Sequence, residues 1–446
     1  MLIGKTIDEV SKKNRLVIGF DLGNDFSQIS FCRTDQSMPD TFSMVTGEEQ
    51  YNIPTVLCKG KDVWFIGKEA LQQASAGQGT LVEDIVLLAK NNTSAPVGDE
   101  EYEPEKLLAI FIKKALFLLS AINSLDDIAG IAFTMHEMNS QLMTAIRAAV
   151  TELNLKKTEV YFLSKQDCFF QYMIHQPEEM WIHDVILYDY RREGIYAYRL
   201  QLNRKTRPVV CYMEKSFHPQ MKMAEVSSMK AAQKSAFFTQ LDDAFLELAR
   251  EQCEGNMISS VFLLGDIFSK DWCKESVRYL CHGRRVFQGN NLFSKGACYG
   301  ARERVLPSSL SDTYVFLSEE KLKANIGMPC NKGKEEIYMP LLHGGTNWYE
   351  AQKEMDLILA RNNKLSLSVT PLNGGQARIA EITLDGLYVR GNKTNRIGFR
   401  IQMTDENTVQ IEITDKGFGE FFPSTGQIWK ESFSLEQFSS KGTGLV

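Results

Sequence analysis

Residues 15–32, with the sequence RLVIGFDLGNDFSQISFC, constrain the fold of this chain more than any other segment. The mostly apolar run LVIGF predicts a strand that ends at Asp21, and Gly23 permits the positive φ of a tight turn. Ile29 and Phe31 predict a second strand, so the segment forms a β-hairpin with a polar tip. Such a tip is either an ordinary turn or an anion site, in which backbone N–H groups hold phosphate and Asp21 lies beside a hydrated Mg²⁺.

Length and charge restrict the class of protein. A chain of 446 residues is too long for one ordinary core, which predicts two or three domains. The net charge is −6 and the basic residues are spread along the chain, so neither nucleic acid nor an anionic membrane is expected as a partner. A protein or peptide client is the expected partner, and the sequence indicates no oligomeric state.

The N-terminus, the apolar runs and the cysteines predict a compartment. Residues 1–15 lack an uninterrupted apolar region and a small-residue cleavage site, which argues against a secretory signal and for a cytoplasmic protein. The longest apolar stretch, 107–122, is interrupted by Lys113 and Lys114 and predicts a buried helix, not a membrane span. The nine cysteines occur singly, without zinc-like spacing, as expected of reduced thiols.

The order of predicted elements continues from the hairpin. A buried helix is expected from Pro104 to Leu118, and strands and helices then alternate. Strand 128–134, helix 140–153 and strand 160–163 follow, with another helix beginning near Asp167. Further along, the predicted elements are a second strand, turn and strand, an amphipathic helix, and a strand that ends in a glycine: 184–200, 235–253 and 260–264.

After Pro307 the apolar spacing changes to strict alternation. Residues 365–369, 397–403 and 409–413 each place apolar side chains on one face of a strand. Turns are expected at 373–375 and 405–407. This pattern predicts a small antiparallel β domain at the C-terminal end.

Taken together and in this order, the segments resemble the seventy-kilodalton heat-shock chaperones of the actin and sugar-kinase superfamily. The family hairpin GIDLGTTNS is similar to GFDLGNDFS here, the second phosphate loop FDLGGGTFDVS to the segment around Asp189, and the adenosine motif LVGGSTRIP to the strand that ends at Gly265. The final region, roughly 311–432, resembles the family's substrate-binding β-sandwich.

The resemblance implies a fold. It implies an α/β actin-like ATPase fold over residues 1–306, with two lobes that are each a mixed sheet flanked by helices. An all-β antiparallel sandwich over 311–435 follows. Residues 436–446 form a short tail in place of the family's helical lid, and the family's acidic, leucine-rich linker is replaced by residues 304–310.

The resemblance also implies a site that holds ATP or ADP with Mg²⁺. Asp21 and Asp189 match the family's aspartates that hold Mg²⁺ through water. The other residues that the resemblance implies as nucleotide ligands lie on the two hairpin turns and directly after the strand predicted at 260–264. The full set of candidate nucleotide-binding residues is Asp21, Gly23, Asn24, Asp25, Asp189, Arg191, Arg192, Gly265 and Asp266.

Several family positions are changed. The catalytic lysine is replaced by Leu71 and the catalytic-site glutamate by Lys165. The loop glycines are replaced by Arg191, Arg192 and Glu193, whose side chains hinder close approach of the backbone to phosphate. The two arginines either grip phosphate directly or are solvated charges on a turn that no longer meets a nucleotide, and the second interpretation is preferred.

Three functions are consistent with these residues. The preferred hypothesis is a chaperone-like binding or scaffold protein with a pseudo-ATPase domain that binds nucleotide weakly or not at all, and no catalytic residue is assigned. The alternative is a divergent, slow Mg-ATP-dependent chaperone in which Arg191, Arg192 or Lys165 replaces the lost groups. Filament formation as in bacterial actins is the third, disfavoured by the β-sandwich.

Overall fold

The computed structural model describes residues 15–45, 47–121, 127–153, 155, 158–224, 229–332, 335–359, 362–372, 376–390 and 394–438. The chain divides into two compact units, Met1–Ser318 and Glu319–Val446. The first is mixed α/β, and the second is built of antiparallel strands. Within the described ranges no helix is both long enough and apolar enough to cross a membrane.

The strands of the first unit are β1 (Leu16–Leu22), β2 (Phe26–Arg33), β3 (Asp40–Thr41), β4 (Ile53–Pro54), β5 (Leu57–Lys59), β6 (Trp64–Ile66), β7 (Thr80–Val82), β8 (Ala95–Val97), β9 (Glu100–Tyr102), β10 (Ile128–Thr134), β11 (Glu159–Phe162), β12 (Asp184–Arg191), β13 (Gly194–Asn203), β14 (Val209–His218), β15 (Ile258–Leu264), β16 (Arg285–Gly289) and β17 (Tyr314–Leu317). Its helices are α1 (Gly67–Ser75), α2 (Ile85–Asn91), α3 (Pro104–Phe117), α4 (Ser140–Glu152), α5 (Lys165–Ile174), α6 (Ala231–Cys253), α7 (Lys274–Leu280), α8 (Leu292–Val305) and α9 (Ser309–Thr313).

Two sheets of the first unit repeat one arrangement. The first has the order β11-β10-β1-β2-β3, with β4 beside β2, and the second has the order β16-β15-β12-β13-β14-β17. In each, a hairpin is antiparallel and its first strand is also parallel to a later strand: β1 to β10, and β12 to β15. The carboxyl ends of these parallel strands therefore lie at one edge of each sheet, next to the hairpin turn.

Helices α5 and α8 share one hydrophobic core with both sheets. That core contains Val17 of β1, Val185 of β12, Phe169 of α5 and Ala297 of α8. The two helices approach closely at Gly296, where a Cβ atom would lie 2.0 Å from the Cys168 carbonyl oxygen. Glycine at this position therefore brings the backbone of the two helices into contact. A second core, on the other face of the second sheet, includes residues of α6.

The second unit contains two four-stranded antiparallel sheets, with the orders β19-β18-β21-β22 and β20-β23-β24-β25. Its strands are β18 (Ala324–Lys332), β19 (Glu335–Leu342), β20 (Gln352–Leu359), β21 (Lys364–Pro371), β22 (Arg378–Thr383), β23 (Asn395–Met403), β24 (Thr408–Asp415) and β25 (Ile428–Ser434). Ile397, Phe399 and Ile401 are fully buried on one face of β23, which confirms the alternation found in the sequence. The expected turn at 373–375 and tail residues 439–446 lie outside the described residues.

The division between the units lies at Ser318/Glu319, so α9 and β17 are part of the first unit although they follow the boundary expected at residue 306. Strand β17 pairs in parallel with β14. The sequence predicted no strand at Val209–His218, and it placed the residues of β17 in the C-terminal β domain, since apolar residues on exposed faces such as Tyr212 and Leu317 give no alternation. Pairing with neighbouring strands decides the conformation of β14 and β17, and such pairing cannot be read from the sequence of a short segment.

Candidate functional site

The candidate residues meet where the two sheets face each other in the first unit. Arg192 of the second hairpin turn lies 3.7 Å from Asp25 of the first, measured from Nε to Oδ2. Asn52 Nδ2 donates to Asp266 Oδ2 at 3.1 Å. We call the charged residues here, Asp21, Asp25, Asp189, Arg191 and Arg192, the inter-sheet cluster. The structure thus brings together residues far apart in the sequence, such as Asn52 and Asp266, which are 214 positions apart.

Asp21 is paired with a buried lysine. Lys165 Nζ donates to Asp21 Oδ1 at 2.5 Å, and the two side chains are 5% and 17% exposed. The ammonium group also lies 4.2 Å from the centroid of the Phe293 ring, a cation–π distance. Lys165 is the first residue of α5, and Ser164 with Asp167 forms a capping box there, which fixes the start of the helix. The carboxylate at the end of β1 is therefore neutralised by a cation of the chain itself.

Asp189 has the same kind of partner. Arg191 Nε donates to Asp189 Oδ2 at 2.8 Å and its Nη2 lies 2.7 Å from the same oxygen. Burial opposes the charge of the guanidinium, but Asp189 outweighs it, so the pKa of Arg191 lies above its usual value. Arg191 is therefore held in an internal ion pair, and is not the solvated charge expected from the sequence. Arg192, 85% exposed, does fit that expectation.

These two pairs decide whether the donor set fits Mg²⁺. The sequence placed a hydrated cation beside Asp21 and Asp189, yet each carboxylate already has a positive group within 2.8 Å. An ammonium or guanidinium group at that distance repels a divalent cation. The residues present therefore do not fit a magnesium ion held by Asp21 and Asp189.

Gly23 and Asn24 have local structural roles. A Cβ atom at position 23 would lie 2.4 Å from the Phe26 carbonyl oxygen, so the hairpin turn requires glycine. Asn24 Nδ2 donates to Asp84 Oδ1 at 2.5 Å, and its Oδ1 accepts from Leu87 N at 3.2 Å. Asn24 therefore satisfies a backbone N–H in the first turn of α2, where intrahelical partners are missing. Both residues hold the turn in place by contacts within the chain.

Gly265 and Asp266 also have partners in the chain. Gly265 has φ +112°, and a Cβ atom there would lie 2.5 Å from the Tyr190 carbonyl oxygen. Glycine is required at this position for the close approach of β15 and β12. Asp266 accepts a hydrogen bond from Asn52, so this pair links the two large sheets of the first unit.

His136, after β10, adds a further link across the cluster. Its Nε2 lies 3.1 Å from the Tyr196 hydroxyl of β13. Burial, followed by the charges of Arg191 and Lys165, lowers the pKa of His136 to about 3. His136 is therefore neutral near pH 7, and its contact with Glu193 at 3.8 Å carries no ion pair there.

Sequence reasoning identified both aspartates but missed their partners. Lys165 and Arg191 were considered as substitutes for lost catalytic groups and not as the partners of Asp21 and Asp189. The signal that could have found the pairs is charge, because a buried carboxylate needs a partner of opposite sign. The sequence did not point to Asn52, because a polar residue directly before a strand, here β4, is ordinary.

Comparison with protein families gives two matches. A model described as "Family of unknown function (DUF5716) C-terminal" matches residues 38–319, and one described as "Domain of unknown function (DUF8552)" matches residues 321–435. The two matches meet at the division between the structural units. No curated protein matches the chain.

Proposed function

This chain belongs to the DUF5716 family of unknown function, and we propose that it is a chaperone-like binding or scaffold protein whose first unit is an actin-like pseudo-ATPase. Its second unit, in this proposal, engages the partner protein. The function is inferred from the charges and contacts of the inter-sheet cluster, because fold alone does not establish function.

The repeated sheet order supports the actin-like architecture. Each of the two sheets has a hairpin joined to a parallel strand from a later crossover, and two helices, α5 and α8, share a core with both sheets. The same order in both halves is what an actin-like pair of lobes requires. The resemblance seen in the sequence concerns the same hairpins and the same strand that ends at Gly265.

The proposed absence of ATPase activity rests on two internal ion pairs, Asp21 with Lys165 and Asp189 with Arg191. Phosphoryl transfer needs positive groups that neutralise the phosphates and carboxylates that hold the metal. In this chain those positive and negative groups neutralise each other. The alternative, in which Lys165 or Arg191 serves a working ATPase, would require them to leave buried carboxylates.

Mg-ATP is therefore expected to leave the melting temperature of the full-length protein unchanged at millimolar concentration, with no phosphate release. A ligand present at a hundredfold excess over its Kd would stabilise the folded state by about 2.7 kcal/mol, which a thermal-shift measurement detects. Phosphate release by the wild-type protein that the double variant Asp21→Leu/Lys165→Met abolishes would establish the alternative ATPase function, whereas stabilisation without phosphate release would show binding without turnover.

The second unit supports partner binding through its sheet edges. Strand β22 lies at one edge of its sheet, where Ile379 is 57% exposed on the face opposite the buried Ile382. The other edge strand of that sheet, β19, contains Pro340, which cannot donate a hydrogen bond to an added strand. We therefore place the partner segment beside β22, as an additional strand.

Ile379→Lys is expected to weaken binding of extended apolar peptides at least tenfold, because a charged residue on an edge strand opposes strand addition. The measurement is fluorescence anisotropy with a panel of labelled synthetic peptides of alternating apolar sequence. Ile358→Lys is the matched control, since Ile358 is similarly exposed on β20 at the edge of the other sheet. Equal affinities for wild type and both variants, or no binding by any of them, would contradict strand addition at β22.

A further inference from the structure

Two buried thiols lie in contact in the core of the first unit. Cys32 is the next-to-last residue of β2 and Cys298 lies in the middle of α8. Their Sγ atoms are 3.6 Å apart, and the side chains are 1% and 0% exposed. Neither thiol takes part in the inter-sheet cluster, and 266 residues separate them along the chain.

The surroundings of the two sulfurs shift their pKa values in opposite directions. The hydrogen bond from Cys298 and the charge of Arg302 lower the pKa of the Cys32 thiol. Burial raises the pKa of Cys298 well above its usual value, and its S–H group faces both Cys32 and the Val17 carbonyl oxygen, 3.5 Å away. The thiolate is the nucleophilic form of cysteine, so the direction of these shifts favours Cys32 as the attacking sulfur and Cys298 as the resolving one.

We propose that Cys32 and Cys298 are a modification site at which a peroxide produces an intramolecular disulfide. The Cys32 sulfur attacks one oxygen of hydrogen peroxide, the O–O bond breaks, and the product is a sulfenic acid with one water. The Cys298 sulfur then attacks the Cys32 sulfur, the S–O bond breaks, and the leaving hydroxide takes the Cys298 proton to form a second water. Two thiols are oxidised and one peroxide is reduced, so atoms and electrons balance.

The position of the pair favours this reaction. A disulfide needs its sulfurs about 2.05 Å apart, and these two sulfurs are already in contact at 3.6 Å. Cys32 lies one residue from the end of β2, next to a turn at Thr34–Asp35, so the path from the surface to its sulfur is short along the chain. The bond would join β2 to α8, the helix that shares a core with both sheets, and would close a very long loop in the unfolded chain.

The test uses the full-length protein with Cys281→Ser, which removes an exposed thiol that would react first. After treatment with hydrogen peroxide and capping of free thiols in denaturant, the expected intact mass is lower than that of the reduced, capped protein by the mass that capping adds at two thiols plus two hydrogen atoms. Peptide mapping should join the peptides that contain Cys32 and Cys298. The oxidised protein should also melt at a higher temperature than the same protein after reduction.

Variants separate this pair from the other thiols. Cys32→Ser and Cys298→Ser should each abolish the cross-link, whereas Cys211→Ser, which removes another buried thiol, should leave it intact. Oxygen addition at Cys32 without a link to Cys298, or a link that forms only in denaturant, would overturn the proposal. Peptide mapping of the Cys281→Ser protein, which retains Cys32 and Cys298, tests whether the cross-link forms even if a serine variant at either position fails to fold.

Discussion

Asp21→Asn is expected to lower the free energy of unfolding by about 3–5 kcal/mol, because it leaves the Lys165 ammonium buried beside a neutral group. The lysine is 5% exposed and is bonded to Asp21 Oδ1 at 2.5 Å. Its remaining close neighbour, the Phe293 ring, replaces little of the lost attraction. The measurement is urea denaturation of the full-length protein at pH 7.

Two comparisons make this prediction specific. Asp25→Asn removes a carboxylate of the same hairpin turn, but its partner Arg192 is 85% exposed, so the expected loss is at most about 1 kcal/mol. The double variant Asp21→Leu/Lys165→Met removes both charges and should recover most of the stability lost in Asp21→Asn. If Asp21→Asn is as stable as Asp25→Asn, the ion pair does not hold the cluster together.

The result bears on function as well as stability. A carboxylate that is kept for metal binding commonly costs stability, so its removal in a working nucleotide site tends to stabilise the empty protein. A strong destabilisation by Asp21→Asn indicates instead that the aspartate is part of the fold. This outcome would agree with a pseudo-ATPase, and stabilisation would favour the alternative.

Glu303→Gln is expected to lower the free energy of unfolding by about 3 kcal/mol at pH 7. The Glu303 carboxylate, near the end of α8, accepts a hydrogen bond from Ser308 N at 2.9 Å and from Ser311 Oγ at 2.8 Å. It also lies 3.2 Å from His175 Nε2. Burial alone would raise the pKa of Glu303, but these hydrogen bonds outweigh it and lower the pKa to about 2.

The pH dependence follows from the direction of that shift. Because the folded-state pKa of Glu303 lies below the ordinary value of 4.5, its contribution is fully present above pH 4.5. The contribution is lost as the pH falls from about 4.5 to about 2. The difference in unfolding free energy between wild type and Glu303→Gln should therefore shrink over that range and be nearly absent at pH 2.

Glu254→Gln is the control for this measurement, because Glu254 is exposed at the end of α6. It should differ from wild type by less than about 0.5 kcal/mol at every pH. A Glu303→Gln variant whose deficit stays constant between pH 4.5 and pH 2 would show that the ionised carboxylate is not the source of the stability.

Local patterns in the chain were sufficient for the longer elements with regular apolar spacing. The hairpin at 15–32, strand Ile128–Thr134 and helix Ser140–Glu152 all lie where apolar spacing and turn residues predicted them. The alternating strands of the second unit are confirmed as well. These features depend on residues a few positions apart, for which side-chain periodicity and turn preferences are direct physical signals.

What the sequence determined by itself is the order of the longer elements, the two hairpins that contain Asp21 and Asp189, and the change from mixed α/β structure to antiparallel strands. Only the tertiary structure decided the state of the site: Lys165 reaches Asp21 over 144 positions, and Cys32 meets Cys298 over 266. The physical reason is that short-range spacing specifies which face of an element is buried. The partner of a charged or sulfur-containing side chain depends on how the elements pack.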